Sequence, residues 1–365
     1  MTQIFFIHHG EAEGNIYRRA QGRNDLPLTA RGRAQAACLA PRFAAQPLDA
    51  VFSSPYIRAL DTVQAALGDR PLTINKDMRL AEMCFGCWEG RPWGEIGYLW
   101  PREKELFKNS IEDWSVPGSE SLAAVQERMW AFVEDVSRRY PGGTVAAGSH
   151  GMALKALTAR IRGVPFREAV LPDNTAVMLL QAEAGRCRIV YENDSSHLDA
   201  SLKTVYGPMK ELRFLPYDLV GGRERYVRCY ADAWRVAHGS LRGFDGEACW
   251  QGALYRAAQS PGSLYSAWVT DDFAGILAMD DRRDARRGAD WIAFFYVVPE
   301  LRGKHCGMQL LGQAIAHARD RGRRALRLTV APSNPAKGFY EKSGFVPAGR
   351  EPGALEDLIV MEKEL

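Results

Sequence analysis

The sequence predicts two α/β domains in series, and three observations predict it. The chain has 365 residues, and a domain takes roughly 100–200. Over the first two hundred residues, short apolar runs alternate with amphipathic stretches. That order builds a mostly parallel sheet covered by helices on both faces, a three-layer α/β domain. From residue 212 a second order begins, with one strand, two helical stretches and then successive strands, which predicts a mixed α/β domain.

Taken in order, Ile4-Phe5-Phe6-Ile7 is a short apolar run and reads as a buried strand. The polar, glycine-containing stretch from His8 to Asp25 reads as a loop. Thr29 stands where a helix N-cap belongs, before an alanine-rich segment. Val51-Phe52 is a second short strand, ending in Ser53-Ser54-Pro55. The next helix carries Leu60, Val63 and Leu67 on one face. A longer one carries Leu122, Val125, Met129, Phe132 and Val136 at helical spacing. Thr144–Gly148 is a strand running into His150 and a helix with Leu154, Leu157 and Ile161. Residues 176–181 and 188–191 read as closing strands. Ligands of such sheets bind beyond the carboxyl ends of the strands, where His8-His9, Ser53-Ser54 and Ser149-His150 all stand.

Residues 201–211 read as a connector, with Gly207-Pro208 as its turn. Beyond it, 212–215, 263–269, 275–279, 291–298, 325–330 and 355–361 read as strands. Residues 222–238, 246–259, 308–321 and 335–343 read as helices. The domains expected are therefore 1–200 and 212–365.

Net charge is +3, which argues against a dedicated nucleic-acid binder. The basic run from Arg282 to Arg287 reads as a solvated hairpin loop. The first apolar run is too short for a signal segment, and no stretch approaches the ~18 residues that span a membrane. The cysteines number seven, scattered as in a reduced cytoplasmic protein. Cys84 and Cys87 form a C-x-x-C pair, but no second pair or nearby histidine completes a zinc set, so they read as ordinary packed thiols. The cytoplasm is the expected location.

Phosphoryl transfer through a covalent intermediate needs a nucleophile, cations for the phosphate oxygens and an acid for the leaving group. His9 sits at a strand end with Gly10 behind it, and the glycine is expected to leave room for a phosphate. Arg19, Arg58 and His150 can supply positive charge, and Glu82 is a plausible proton donor. Singly, each of these reads as an ordinary polar residue. Their joint placement at the ends of one sheet is what points to a site.

His8-His9-Gly10-Glu11, followed by Asn15, Arg19, Gln21-Gly22, Asp25 and Pro27-Leu28-Thr29, resembles the opening of the histidine phosphatase (phosphoglycerate mutase-like) superfamily. Ser53-Ser54-Pro55-Tyr56-Ile57-Arg58-Ala59 resembles its second arginine segment. Leu80-Ala81-Glu82 through Gly86-Cys87-Trp88-Glu89-Gly90 resembles its acid segment, and Gly148-Ser149-His150-Gly151 its second histidine. The likeness runs from residue 1 to about 198. It implies a phosphoglycerate mutase-like fold, His9 as the phosphorylated nucleophile and Glu82 as general acid. Phosphate would be held by Arg58, His150 and Gly151, with Asn15, Arg19 and His8 helping. No metal is implied.

One position departs from the family. Its opening triplet is Arg-His-Gly, and here it is His8-His9-Gly10. Histidine offers fewer donors than a guanidinium and is charged only part of the time near neutral pH. A lost charge-assisted hydrogen bond costs about 1.5–3 kcal/mol. The domain is then a slow phosphatase, a pH-sensitive one or a phosphate-binding relic. The segment from Arg91 to Ser121, with Trp93, Tyr98, Trp100, Phe107 and Trp114, is expected to cover the pocket. Its brevity favours hydrolysis over the re-transfer a mutase needs.

In the second half, Val297-Val298-Pro299-Glu300-Leu301-Arg302-Gly303-Lys304-His305-Cys306-Gly307 joins a strand to an apolar-faced helix. Such a turn presents backbone N–H groups and a helix N-terminus to an anion. The segment resembles the acyl-CoA-binding motif of the GNAT family, Gln/Arg-x-x-Gly-x-Gly/Ala. Arg302 and Gly307 match, and His305 occupies the first glycine position. Asn334-Pro335-Ala336 and Gly338–Phe345 resemble that family's second core motif. The resemblance covers about 212–365 and implies a GNAT fold with acetyl-CoA as cosubstrate. The backbone at Val297 and Val298 would hold the pantetheine arm. Residues Arg302, Gly303, Lys304, His305, Cys306, Gly307 and Met308 would cradle the pyrophosphate. Asn334 would contact the coenzyme, and Tyr340 would protonate the departing thiolate. Asp290 is the nearest acid to the position of a general base but stands far up the strand. The acceptor, a small amine, is expected beside Trp291, Phe294 and Tyr296.

The sequence thus reads as a bifunctional enzyme. One half would hydrolyse a small phosphorylated metabolite, and the other would acetylate a small amine, with neither nucleic acid nor membrane as partner. The alternative is an acetyltransferase governed by a phosphatase-like module that senses a phosphorylated ligand.

Overall fold

The computed structural model describes residues 1–183, 185–204 and 209–365; the turn expected at Gly207-Pro208 lies outside them. Contacts divide the chain into two compact units, one spanning residues 1–92 and 96–204, the other chiefly 209–365.

In the first unit the strands are β1 (Thr2–His8), β2 (Ala50–Ser53), β3 (Ile74–Lys76), β4 (Thr144–Ser149), β5 (Val177–Glu183) and β6 (Arg186–Asp194). They form one sheet in the order β3-β2-β4-β1-β5-β6. The first four are parallel to one another, and β5 and β6 join antiparallel. The helices are α1 (Glu13–Tyr17), α2 (Ala30–Ala37), α3 (Leu39–Ala44), α4 (Ile57–Leu67), α5 (Trp93–Leu99), α6 (Pro101–Asn109), α7 (Leu122–Arg139) and α8 (Gly151–Arg162).

Alternation along β1 shows why both faces are covered. Phe5 meets Phe43 of α3, ring centroids 5.6 Å apart, while Phe6 meets Phe132 of α7 at 5.9 Å. Successive side chains of a strand point to opposite faces, so one apolar run needs a helical layer on each side. Phe5 and Ile7 belong to a core with Leu39, Val51, Val63 and Leu67. Helix α7 buries Leu122, Val125, Met129, Phe132 and Val136, and Ser121 caps it by accepting the N–H of Ala124. Thr29 caps α2 in the same way through Gly32.

Several elements of this unit were not foreseen. The loop expected over residues 8–25 contains α1, because the Asn15 side chain reaches back to the Ala12 N–H and closes one turn. The edge strand β3 has only its first residue half-buried, so it carries no apolar pattern to read. Between Arg91 and Ser121 the chain forms α5, α6 and a single turn at Ile111–Asp113. Its aromatic residues pack together, Trp114 lying 5.0 Å from Phe107 and 5.2 Å from Trp88.

The second unit contains β7 (Arg213–Pro216), α9 (Arg223–His238), α10 (Gly246–Gln259), β8 (Leu264–Val269), β9 (Asp272–Asp280), β10 (Ala289–Val297), α11 (Cys306–Asp320), β11 (Ala325–Val330), α12 (Lys337–Lys342), β12 (Val346–Glu351) and β13 (Leu358–Glu364). Its sheet runs β12-β13-β11-β10-β9-β8-β7. Tyr226, Cys229 and Trp250 of α9 and α10 pack with Ile276, Phe294 and Tyr296 of the sheet. Strand β12 was missed, since its side chains are almost all exposed.

The decisive feature of this sheet is a parting of strands. β10 pairs with β11 only over Ala289–Ile292, opposite Ala325–Leu328. Beyond a register shift between Ile292 and Phe294, β10 stays with β9 to Val297, while β11 stays with β13 to Val330. A notch opens between two neighbouring strands. Among the described residues no helix is long and apolar enough to cross a membrane.

Candidate functional site

Register places the first site. His8 stands opposite Ser149 across β1 and β4, and Ser53 opposite Gly148 across β2 and β4. The three strand ends therefore share one level, and the residues that follow them converge. The rings of His8 and His9 lie 4.5 Å apart, those of His9 and His150 5.2 Å apart. Tyr56 adds its ring 5.9 Å from His150, with the Arg58 guanidinium 5.5 Å from that tyrosine ring.

Each histidine is held by a specific partner. His9 Nδ1 lies 2.7 Å from the carbonyl of Gly10. A carbonyl only accepts, so Nδ1 carries the proton and Nε2 keeps its lone pair. His8 Nδ1 likewise donates to the carbonyl of Asp173 at 2.7 Å. His150 Nε2 pairs with Ser54 Oγ at 2.7 Å, and its buried Nδ1 has no partner among the described residues. Burial disfavours the charged form of all three. It pushes His8 down to about 4, against the opposing bond to Asp173, and holds His9 and His150 well below the usual histidine value.

Arg58 is 1% exposed. Its Nη atoms donate to the carbonyls of Asn24 (3.0 Å) and Gly22 (2.6 Å), while its buried Nε has no partner among the described residues. Burial lowers its pKa, opposed by the field of Glu82. Glu82 follows the turn at Met78–Leu80 and faces the N-terminus of α8. Its carboxylate accepts the N–H groups of Met83 (2.8 Å), Ala153 (2.9 Å) and Met152 (3.1 Å). Burial raises its pKa, and those three hydrogen bonds oppose the rise. Gly151 opens the same helix, and a Cβ there would come 3.4 Å from His8 Nε2.

The second site lies between β10 and α11. Gly303 (φ 73°) and His305 (φ 61°) both adopt the left-handed conformation, flanking Lys304. His305 is the N-cap of α11, and its side chain makes no capping bond. Cys306, Gly307 and Met308 form the first helical turn, where N–H groups have no intrahelical acceptor. Arg302 bends back, its Nε donating to the carbonyl of Val297 at 2.9 Å and its Nη2 to Asp232 at 2.6 Å. Tyr340 is buried among Phe295, Phe339 and Phe345, with ring distances of 6.0, 5.4 and 5.6 Å. Burial raises its pKa. Asn334 Oδ1 accepts the N–H of Ala336 and sets the turn into α12. The notch, the left-handed turn and the open helix end fit a long coenzyme arm that ends in a pyrophosphate.

A family model described as histidine phosphatase superfamily (branch 1) matches residues 4–195. The chain belongs to that superfamily. A second model, the acetyltransferase (GNAT) family, matches residues 224–345, so the histidine phosphatase domain is followed by a GNAT domain. The chain is 29% identical over 204 residues to Phosphoserine phosphatase 1 of Hydrogenobacter thermophilus, covering 54% of this chain and 95% of that one. It is 34% identical over 168 residues to a probable phosphoglycerate mutase of Yersinia enterocolitica, covering 45% of this chain and 77% of the relative. Among solved structures, Bacillus stearothermophilus YhfR superposes on 54% of this chain and 99% of its own, at 32% identity and a TM-score of 0.53.

Several expectations need correction. Gly10 does not make room for a ligand: a Cβ there would lie 2.5 Å from the carbonyl oxygen of Gly32, so the glycine lets α2 pack against the histidine loop. Asn15 Oδ1 accepts the N–H of Ala12, and Arg19 donates to the carbonyl of Gly90 at 2.6 Å. In the GNAT domain, Val298 donates its N–H to Ala274 and its carbonyl accepts from Leu301. The backbone role expected of Val297 and Val298 narrows to Val297. Trp291 donates to Asp284 and Phe294 stacks on Tyr230 at 4.3 Å, while Tyr296 lines a cleft.

Asp290 is fully buried and paired with Arg323 at 2.7 Å, so it is no base for the notch. With Asp281 and His317 it forms a cluster whose ligand atoms lie within 4.8 Å of one another. Arg321 and Arg323 already face those carboxylates, and their charge opposes a metal ion. Positioning residues that the sequence did not single out include Thr62, which accepts the Gly10 N–H, and Asn174, which donates to the His9 carbonyl. Glu89 accepts the N–H groups of Arg23, Asn24 and Phe85 and shapes the loop over Arg58. Only its place in the acid segment gave a signal.

Proposed function

We propose that the histidine phosphatase domain hydrolyses phosphomonoesters through a phosphohistidine at His9 Nε2. The observation that carries this reading is the Nδ1 bond to the Gly10 carbonyl, which fixes the tautomer with a lone pair on Nε2. That nitrogen forms the N–P bond as the ester oxygen leaves. Glu82, its pKa raised by burial, supplies the proton to that oxygen. Arg58 Nε and His150 Nδ1, both buried and without partners among the described residues, can donate to the phosphate oxygens. Water then displaces His9, with Glu82 taking its proton. The relative named a phosphoserine phosphatase supports small phosphorylated metabolites as the substrate class.

Hydrolysis of 4-nitrophenyl phosphate by the parent and by His9→Ala tests the assignment. The variant is expected to lose at least about a thousandfold, the scale of removing a covalent nucleophile. Equal, negligible rates in both would remove the claim. They would favour the second reading, a phospholigand-sensing module. The observation behind that reading is His8, whose only Nδ1 proton is spent on Asp173.

For the GNAT domain we propose acetyl transfer to a small amine. Acetyl-CoA supplies the activated acetyl thioester. The turn from Arg302 to Met308 would hold its pyrophosphate, Val297 its arm and Asn334 the coenzyme nearby. Tyr340, kept protonated by burial, would give its proton to the departing sulfur. Tyr340→Phe is expected to lower kcat about a hundredfold, as loss of a general acid does, with coenzyme binding retained. Full transfer by that variant would end the assignment. We place the domains at 1–200 and 212–365, with 201–211 as connector, and the cytoplasm as location.

A further inference from the structure

The GNAT domain holds a cleft of about 380 Å³, within the range of small-molecule sites. Arg228, Asp232 and Arg235 of α9 line it, with Phe273, Tyr296 and Val298 at the ends of β9 and β10. Positions 228, 232 and 235 fall on one stripe of the helix. Seven residues of helix rise about 10 Å, so the two arginines bracket a molecule of metabolite size. The cleft shares Val298 with the strand end that leads into the coenzyme turn.

Its charges are unevenly satisfied. Asp232 Oδ2 accepts from Tyr296 Oη at 3.1 Å and from Arg302 at 2.6 Å. No hydrogen bond among the described residues uses Oδ1. Neither the Arg228 nor the Arg235 side chain forms a hydrogen bond or ion pair among the described residues. Arg302 is answered by Asp232, which leaves two guanidinium groups without a counter-charge. A simple cationic amine would be repelled here, and a purely anionic molecule would meet the carboxylate.

We propose that this cleft is the acceptor site and that the acceptor is a small amine that also bears an anionic group, a carboxylate or a phosphate. Arg228 and Arg235 take the anion, and Asp232 Oδ1 takes the ammonium. Transfer forms the C–N bond of the amide as the thioester C–S bond breaks. Of the two protons the ammonium nitrogen loses, one leaves with the thiol and the other goes to solvent. This rests on the acetyltransferase reading of the same domain.

The test uses the full chain, acetyl-CoA and four amines, with thiol release as the readout. L-serine is set against its methyl ester, and ethanolamine phosphate against ethanolamine. The anionic member of at least one pair is expected to have the higher kcat/KM by about tenfold or more, the scale of a charge-assisted contact. Which pair shows it separates carboxylate from phosphate. Arg228→Gln with Arg235→Gln, both exposed positions, is expected to erase that preference through KM for the anionic amine, leaving the KM of acetyl-CoA in place. Acetyl-CoA binding measured by calorimetry, with no preference for anionic amines or none acetylated, overturns the acceptor proposal alone. Absence of acetyl-CoA binding overturns the acetyltransferase reading beneath it.

Discussion

In the histidine phosphatase domain the groups proposed to face an anion are buried side chains: His9 is 4% exposed and His150 fully buried. In the GNAT domain they are backbone N–H groups of an exposed turn, Gly303 to His305, leading into a helix. Both arrangements suit phosphate oxygens, but they fail in different ways. A site made of buried ionisable groups depends on protonation, because desolvation and mutual repulsion decide who is charged. A site made of backbone donors is indifferent to pH and depends on holding an unfavourable conformation. The first should respond to acid and to charge, the second to backbone freedom.

Acid is the strongest lever on this contrast. The histidines of the first unit, His8, His9, His150 and His197, are all held low by burial. For His8 the ordinary value is 6.5 and the folded value about 4. Above pH 6.5 neither state is protonated and nothing is lost. Between 6.5 and 4 the unfolded chain binds the proton and the folded one does not, so stability falls as pH falls. For His8 alone the loss reaches on the order of 3 kcal/mol by pH 4. Glu82 and Glu89, raised by burial, work in the opposite sense. The clean measurement is therefore a difference. Thermal unfolding of the parent and of His8→Asn, followed from pH 7 to pH 4, should show a shallower acid dependence in the variant. Parallel curves would mean that His8 titrates normally in the folded chain.

The next effect concerns the missing guanidinium. With Nδ1 bound to Asp173, neutral His8 can offer a phosphate only the lone pair of Nε2. It becomes a donor when the dianion draws a proton onto it. His8→Arg supplies the charge permanently. It is expected to raise kcat/KM toward an aryl phosphate by about ten- to a hundredfold at pH 7.5, the counterpart of about 1.5–3 kcal/mol. The gain should hold from pH 8 to pH 5, above the folded value of about 4, and shrink only as pH falls toward 4 and His8 gains its own proton. A gain already lost between pH 8 and pH 5 would show that His8 is protonated in the folded chain well above that value.

What the sequence revealed follows the same division. The core of the first domain was legible because β1 carries an unbroken apolar run and α7 apolar residues at helical spacing, and the residues assigned to the first site stand in four ordered motifs. What tightens that site was not legible. Gly10 reads as space for a ligand until Gly32 is seen against it, and the carbonyls of Asp173 and Gly10 leave no mark on side-chain chemistry. In the GNAT domain the parting of β10 from β11 is a property of hydrogen-bond register, and no residue type announces it. Asp232 and Tyr296 are 64 positions apart, on a helix and a strand whose patterns say only that each has a buried face.

The smallest effect sharpens the backbone side of the comparison. His305 occupies a left-handed position where its family resemblance expects glycine, with φ 61° and ψ 4°. For a residue with a Cβ this conformation costs roughly 1–2 kcal/mol. The side chain returns none of it as a cap, since it makes no capping bond. His305→Gly removes the strain but adds freedom to the unfolded chain, worth about 0.4–1 kcal/mol in the other direction. A net gain of about 1 kcal/mol or less is expected in the GNAT domain's unfolding free energy. The coenzyme then separates two causes for keeping histidine. If the turn binds pyrophosphate through backbone N–H groups alone, acetyl-CoA affinity should hold or rise in the variant at every pH. A fall in affinity would show that the His305 ring itself takes part in binding, and the two sites would then differ less than their backbones imply.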